Sequence, residues 1–217
     1  MKGVIDIHPH VISPETQRYP RAPLGGRASD WSQTRPVNAQ QMIAAMNSAG
    51  IDKAVLVQAS TCYGHDNSYL ADAVAADRRR FIGVFSVDVL APDAPQRIRY
   101  WMERGLAGLR VFIAGHTTAQ DVRLDDPRAF AAWEYASGAG LPICVQLRAP
   151  ALGQLQHMLE RFPRARRSSS RNRAPLRRGA GAISLRRQGS GRRVAARDDE
   201  YREAQSVPLR LSLQQWI

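Results

Sequence analysis

Gly3-Val4-Ile5-Asp6-Ile7-His8-Pro9-His10 opens the chain with a compact apolar run that ends in His-x-His. Such a run reads as a first β-strand that delivers two imidazoles to one place. Side chains alternate across a strand, so His8 and His10 are expected on one face, with Asp6 one step deeper on that face. Two neutral imidazoles so placed can grip one divalent metal, or hold and polarise one water. Asp6 then either orients them from behind or is simply a buried, hydrogen-bonded carboxylate. Histidines satisfied by backbone hydrogen bonds are the structural alternative.

Outward from that run, the pattern repeats. Strands are predicted over residues 4–7, 54–58, 81–87, 108–113 and 142–147, all rich in Val, Ile, Leu and Phe. That composition suits strands covered on both faces of a parallel sheet. Helices are predicted over 39–49, 68–77, 94–104, 127–137 and 151–161, punctuated by Gly50, by Asn67 or Ser68, by Asp126-Pro127 and by Gly138 and Gly140. Five βα units in succession predict an α/β architecture. A closed eight-unit barrel takes about 250 residues, more than the 217 of this chain. Residues 11–37, with Pro14, Pro20, Pro23, Pro36 and Gly25-Gly26, form a long connection over the end of the sheet where such folds place substrates. A lid and a passive connection are both open there.

The net charge of +12 is not a property of the βα region. Residues 1–160 hold 16 Lys+Arg against 15 Asp+Glu, whereas 161–197 hold 13 Arg and no acidic residue. Between 164 and 197 there are only four Leu, Ile or Val and no aromatic residue, too little apolar area to offset the entropy of ordering the segment. The organisation expected is a domain over 1–163 followed by a disordered, Arg-rich tail over 164–217. Cys62 and Cys144 have no metal or redox spacing, so reduced thiols and a cytoplasmic location are expected. No run of about 20 apolar residues is present, so no membrane partner is expected.

The wording of the motifs is more specific than the βα rhythm. Ile5-Asp6-Ile7-His8-Pro9-His10, Val55-Leu56-Val57-Gln58, Tyr63-Gly64-His65-Asp66-Asn67-Ser68-Tyr69-Leu70 and Phe81-Ile82-Gly83-Val84 resemble the amidohydrolase superfamily. Within it they resemble the lactone hydrolases that include pyrone-dicarboxylate and sulfomuconolactone hydrolases. The resemblance covers about residues 2–163. It implies a (β/α)8 barrel of TIM type, here with about five units, and a water attacking the carbonyl of a small carboxylated lactone. Metal use varies within this branch, so it implies zinc or manganese on His8 and His10 in some members and no metal in others. Without a metal, the two histidines would polarise the carbonyl directly. Arg110, inside Gly108-Leu109-Arg110-Val111-Phe112, would bind an acidic group of the substrate; an internal salt bridge, to Asp88 for example, is the alternative. Gln58 and Gln146, at strand ends, are candidates for substrate hydrogen bonds or for loop caps. His65 and His116 are loop residues with a lesser claim on substrate, and His157 reads as a surface residue.

The family pattern also calls for a histidine at the sixth strand and a carboxylate base at the eighth. No histidine follows His157, and the pattern stops at Arg164. An out-of-frame translation of the remaining gene is the simplest expectation, since Arg, Ser, Gly and Ala dominate that stretch. On this reading the chain is a hydrolase truncated in its site and inactive or weakly active, with an open barrel edge that favours self-association. A decarboxylase of a muconate-like or aromatic acid on the same barrel is the alternative reaction. An Arg-rich binder of polyanions or nucleic acid through 164–197 is the alternative of another class; without interleaved aromatic residues, nucleic acid is not the expected partner.

Overall fold

The computed structural model describes residues 3–113 and 122–167. Five parallel strands, β1 (Ile5–Asp6), β2 (Lys53–Val57), β3 (Phe81–Ser86), β4 (Gly108–Ile113) and β5 (Ile143–Leu147), lie in the sheet in chain order. Strands that follow one another in space as in sequence, all parallel, curl into part of a barrel. A doubly wound sheet would reverse its order partway. The expected incomplete (β/α)8 architecture is therefore present as a half-barrel of five strands with their helices.

The helices are α1 (Asp30–Thr34), α2 (Ala39–Ala49), α3 (Ser60–Tyr63), α4 (Ser68–Ala76), α5 (Ala94–Glu103), α6 (Phe130–Gly138), α7 (Leu152–Arg161) and α8 (Pro163–Arg167). Their boundaries follow local chemistry. Asn38 and Gln41 form a reciprocal capping box at the start of α2, and Gly50 ends it in the left-handed conformation. Asp126 accepts from the Arg128 backbone N–H to open the turn into α6. The Arg-rich composition begins inside α8, whose Ala165 packs on the core. His116 and the segment from 168 onward lie outside the described residues. Among the described residues no helix is long and apolar enough to cross a membrane.

Alternation along the strands separates two packing faces. Ala54, Leu56, Phe81, Phe85, Leu109, Val111, Ile143 and Val145 face the helices and bury against Leu70, Val74, Ile98, Trp133 and Met158. Each such large side chain contributes roughly 1.5–3 kcal/mol on burial. On the inner face Val55, Val57 and Val84 form a second cluster with Ile5, Ile82 and Cys144. The same alternation turns Ser86, Arg110, Phe112 and Gln146 inward. Gly83 permits the close approach of Leu106 and of α4, since a Cβ there would collide with Leu106 Cδ2 and stand 3.0 Å from Val74 Cγ2.

β1 departs from expectation. It ends at Asp6, the chain bends at Ile7–His8, and Val4 and Ile7 are 54% and 50% exposed. The strand has a hydrogen-bonded neighbour on one side only among the described residues, and past the bend the chain returns to that neighbour through the Val57 N–H bond to the Pro9 carbonyl. Gly64, at the end of α3, has φ +56° and leaves no room for a Cβ, which would lie 2.6 Å from the Ala22 carbonyl oxygen. Gly64→Ala is expected to cost at least about 2 kcal/mol through backbone strain and displacement of the 11–37 connection. Urea denaturation of the two proteins measures it.

Candidate active site

The site is built at the carboxyl ends of the strands. Because the chain bends after Asp6, strand alternation is not what pairs the histidines. The Val57 backbone N–H donates to the Pro9 carbonyl (2.9 Å), and His10 Nδ1 lies 2.7 Å from the Val57 carbonyl oxygen. A carbonyl only accepts, so Nδ1 carries the proton and the neutral ring presents Nε2 as a lone pair. The His8 ring meets His10 edge-on at 5.2 Å. Asp6 Oδ1 accepts from the His8 backbone N–H at 3.2 Å, so the carboxylate braces the bend rather than an imidazole ring.

Burial lowers the His10 pKa to about 3; the positive charge of Arg110 adds to this, the Val57 bond opposes it, and His8 lowers it slightly further. The ring keeps some exposed area yet is packed on its remaining sides. His8 is exposed, and its pKa is lowered as well, by desolvation first and then by Arg110, against a small opposing effect of Asp6. Both rings are neutral at ordinary pH.

Arg110 is 4% exposed, on the inner face of β4. Nη1 donates to the Gln58 carbonyl, Nη2 donates to Gln146 Oε1 at 2.5 Å, and the guanidinium lies 4.4 Å from the centre of the Phe112 ring. Asp88 is exposed and accepts from the Leu90 backbone N–H. The structure therefore brings Arg110, Gln146, His8 and His10 to one mouth. Gln58 reaches it through its backbone oxygen, because its side-chain Nε2 donates to the Asp66 carbonyl at 2.7 Å and caps the loop.

The Tyr63–Ser68 loop is a set of backbone braces. Asn67 is fully buried; its Oδ1 accepts from Ser86 N (2.8 Å) and its Nδ2 donates to the Ser86 and His65 carbonyls (2.9 Å each). The amide thus completes a backbone pair at the end of β3, and Asp66, not Asn67, receives the first N–H of α4 through Ser68. Tyr63 Oη accepts from Ser13 N (2.8 Å), tying the 11–37 connection to α3. His65 Nδ1 lies 3.0 Å from Ser86 Oγ, and burial lowers its pKa. His157 stands beside Asp125 on the surface.

One residue of the site escapes a reading by motif. Trp31, on α1 within the 11–37 connection, stacks on His10 with ring centres 5.1 Å apart and planes 22° apart. No local spacing announces a contact between residues 21 positions apart. A Trp within the polar connection was the one available sign.

His8 and His10 would offer at most two nitrogen ligands to a divalent ion, and the described residues contain no group of three His, Cys, Asp or Glu able to hold one. Catalytic zinc takes three protein ligands plus a water. The described residues do not complete such a set.

An unfolded His10 takes up a proton near pH 6.5 and the folded one only near 3, so folding stability is lost as pH falls through that interval. Melting temperatures from pH 7.5 to 4.5 are expected to fall less steeply for His10→Gln than for the parent. Asn67→Asp places carboxylate oxygens against two carbonyls and is expected to cost about 2–4 kcal/mol at pH 7, with part recovered below pH 5 as the acid regains a donor. Denaturant titrations at the two pH values measure both effects.

Residues 5–166 match the family model described as Amidohydrolase. No curated protein matches the sequence. A solved structure of a probable 2-pyrone-4,6-dicarboxylic acid hydrolase from Acinetobacter baumannii, with citric acid bound, aligns with TM-score 0.57 and 20% identity over 74% of this chain and 55% of its own. A zinc-bound amidohydrolase from Burkholderia multivorans aligns with TM-score 0.55 and 19% identity over 75% and 55%. A 2,6-dihydroxybenzoate decarboxylase from Rhizobium aligns with TM-score 0.55 and 17% identity over 76% and 64%. These likenesses show the fold. The chain spans about half the length of the first two.

Proposed function

The chain belongs to the amidohydrolase family, and on that premise we propose that its mouth is the substrate side of a hydrolase that opens the lactone ring of a small carboxylated molecule with an activated water. The observation that carries this reading is the convergence of a buried arginine and two imidazoles on the end of β2: Arg110 donates to the Gln58 carbonyl, His10 to the adjacent Val57 carbonyl, and the His8 ring packs on His10. A buried guanidinium recognises a carboxylate through charge-assisted, bidentate bonds. Gln58 O, Gln146 Oε1 and the Phe112 ring hold Arg110 in one orientation, so little ordering is left for the substrate to impose.

With the carboxylate on Arg110, the ester carbonyl of the ring lies toward the histidines. His10 accepts a hydrogen bond from water at Nε2, which turns the water's lone pair toward the carbonyl carbon. His10 is not a donor to the carbonyl, because its only ring proton is held by Val57. Donation to the oxygen that gains negative charge falls to His8. The carboxylate base that the resemblance places at an eighth strand has no counterpart in these five units. The steps assigned to this chain are therefore binding, polarisation and orientation of water, and turnover slow beside that of a whole barrel is expected.

The expectation is that Arg110→Met lowers kcat/KM for a carboxylated lactone roughly 100-fold, as expected from loss of one or two charge-assisted bonds, while an uncharged lactone is affected little. Equal losses on both substrates would make Arg110 structural. Product analysis separates the reactions: ring-opened acid supports the hydrolase, whereas carbon dioxide from a carboxylated aromatic substrate replaces it with the decarboxylase reading.

A further inference from the structure

We propose that Trp31 is a positioning residue that sets the plane of the His10 imidazole. His10 has two distinct requirements if Nε2 is to point at one place in the mouth. The bond from Nδ1 to the Val57 carbonyl (2.7 Å) fixes one atom and one direction, but the ring can still swing about that axis. A second planar group laid against it removes the swing, because offset-stacked rings lose contact when one tilts. Trp31 supplies this group at 5.1 Å and 22°, while the edge of His8 bounds the ring at 5.2 Å.

A positioning group must itself be held, and Trp31 is. Its helix begins at Ser29, whose backbone N–H donates to the Thr61 carbonyl (3.3 Å) and whose Oγ pairs with Thr61 Oγ1 (2.8 Å). Ser32, buried, donates from Oγ back to the Ser29 carbonyl at 2.7 Å. The indole packs on the cluster of Ile12, Tyr19, Ala59, Cys62 and Tyr63. Thr61 sits in α3, directly after β2, and Val57 ends β2. Both constraints on His10, the hydrogen bond and the stacked ring, are therefore referred to the same strand and its following turn. The 11–37 connection acts through this contact as a fixed brace. The role of His10 in turnover rests on the reading of the mouth given above; the restraint on its ring does not.

The test uses the full chain with 15N-labelled histidine. The His10 Nδ1–H resonance is identified by its loss in His10→Gln, and its exchange with solvent is followed in Trp31→Phe, Trp31→Leu and Ser29→Ala, with melting curves to confirm folding. Trp31→Phe keeps an aromatic face and is expected to exchange within about 3-fold of the parent, whereas Trp31→Leu, which keeps bulk without a face, exchanges at least 10-fold faster. Ser29→Ala, which touches neither ring, is expected to fall between. Protection in Trp31→Leu equal to that in Trp31→Phe overturns the proposal, as does unchanged protection in both. Where lactone turnover is measurable, Trp31→Leu lowers kcat and leaves KM within about 2-fold. If no lactone is turned over, the proposed reaction fails while the exchange measurement still decides the role of Trp31.

Discussion

Two backbone carbonyls at the carboxyl end of β2 hold the site together. The Val57 oxygen takes the Nδ1 proton of His10, and the Gln58 oxygen takes a guanidinium proton of Arg110. The same two residues donate their own N–H groups to the Pro9 and Val84 carbonyls. A strand that ends in a barrel mouth leaves its last carbonyls without ladder partners, and buried carbonyls must find donors. Here the donors are the side chains that the proposed chemistry uses. The backbone requirement and the placement of the site are one arrangement.

The surrounding loop solves the same problem one strand further on. Asn67 pairs its amide with both backbone groups of Ser86, so the end of β3 is closed by a side chain where no further ladder exists. Gln58 caps the loop carbonyl of Asp66, and Tyr63 anchors the long connection through Ser13. These bonds leave His65 facing Ser86 at the rim. They also explain why the Tyr-Gly-x-Asp-Asn wording is so particular: its residues satisfy specific buried backbone groups, and Gly64 occupies a conformation and a gap closed to any side chain.

Arg110 illustrates how charge and position combine. Burial of a guanidinium is costly unless several groups share its protons and its charge. The carbonyl of β2, the amide of β5 and the ring of Phe112 do so across three strands, which ties the half-barrel's curvature to the electrostatics of its mouth. Burial first and the charge of Arg110 second lower the pKa of both histidines, and each stays neutral where a charged imidazolium would repel the arginine.

Much of this was legible along the chain. The runs at 81–86, 108–113 and 143–147 are rich in Val, Ile, Leu and Phe, as suits strands covered on both faces of a parallel sheet, and helix ends at Gly50 and Asp126 carry their own conformational reasons. The inward turn of Arg110 and Gln146 follows from alternation between Leu109 and Val111, and between Val145 and Leu147. Side-chain period and composition are local properties, so the linear sequence by itself determined the βα order, the family wording and the residues available for chemistry. Tertiary structure alone decided the rest. The bend after Asp6, the tautomer of His10, the spending of the Gln58 amide on a loop and the stacking of Trp31 all depend on partners tens of residues away. Each is set by which buried donor lies within about 3 Å of which acceptor, a relation that exists only once the strands have been brought side by side.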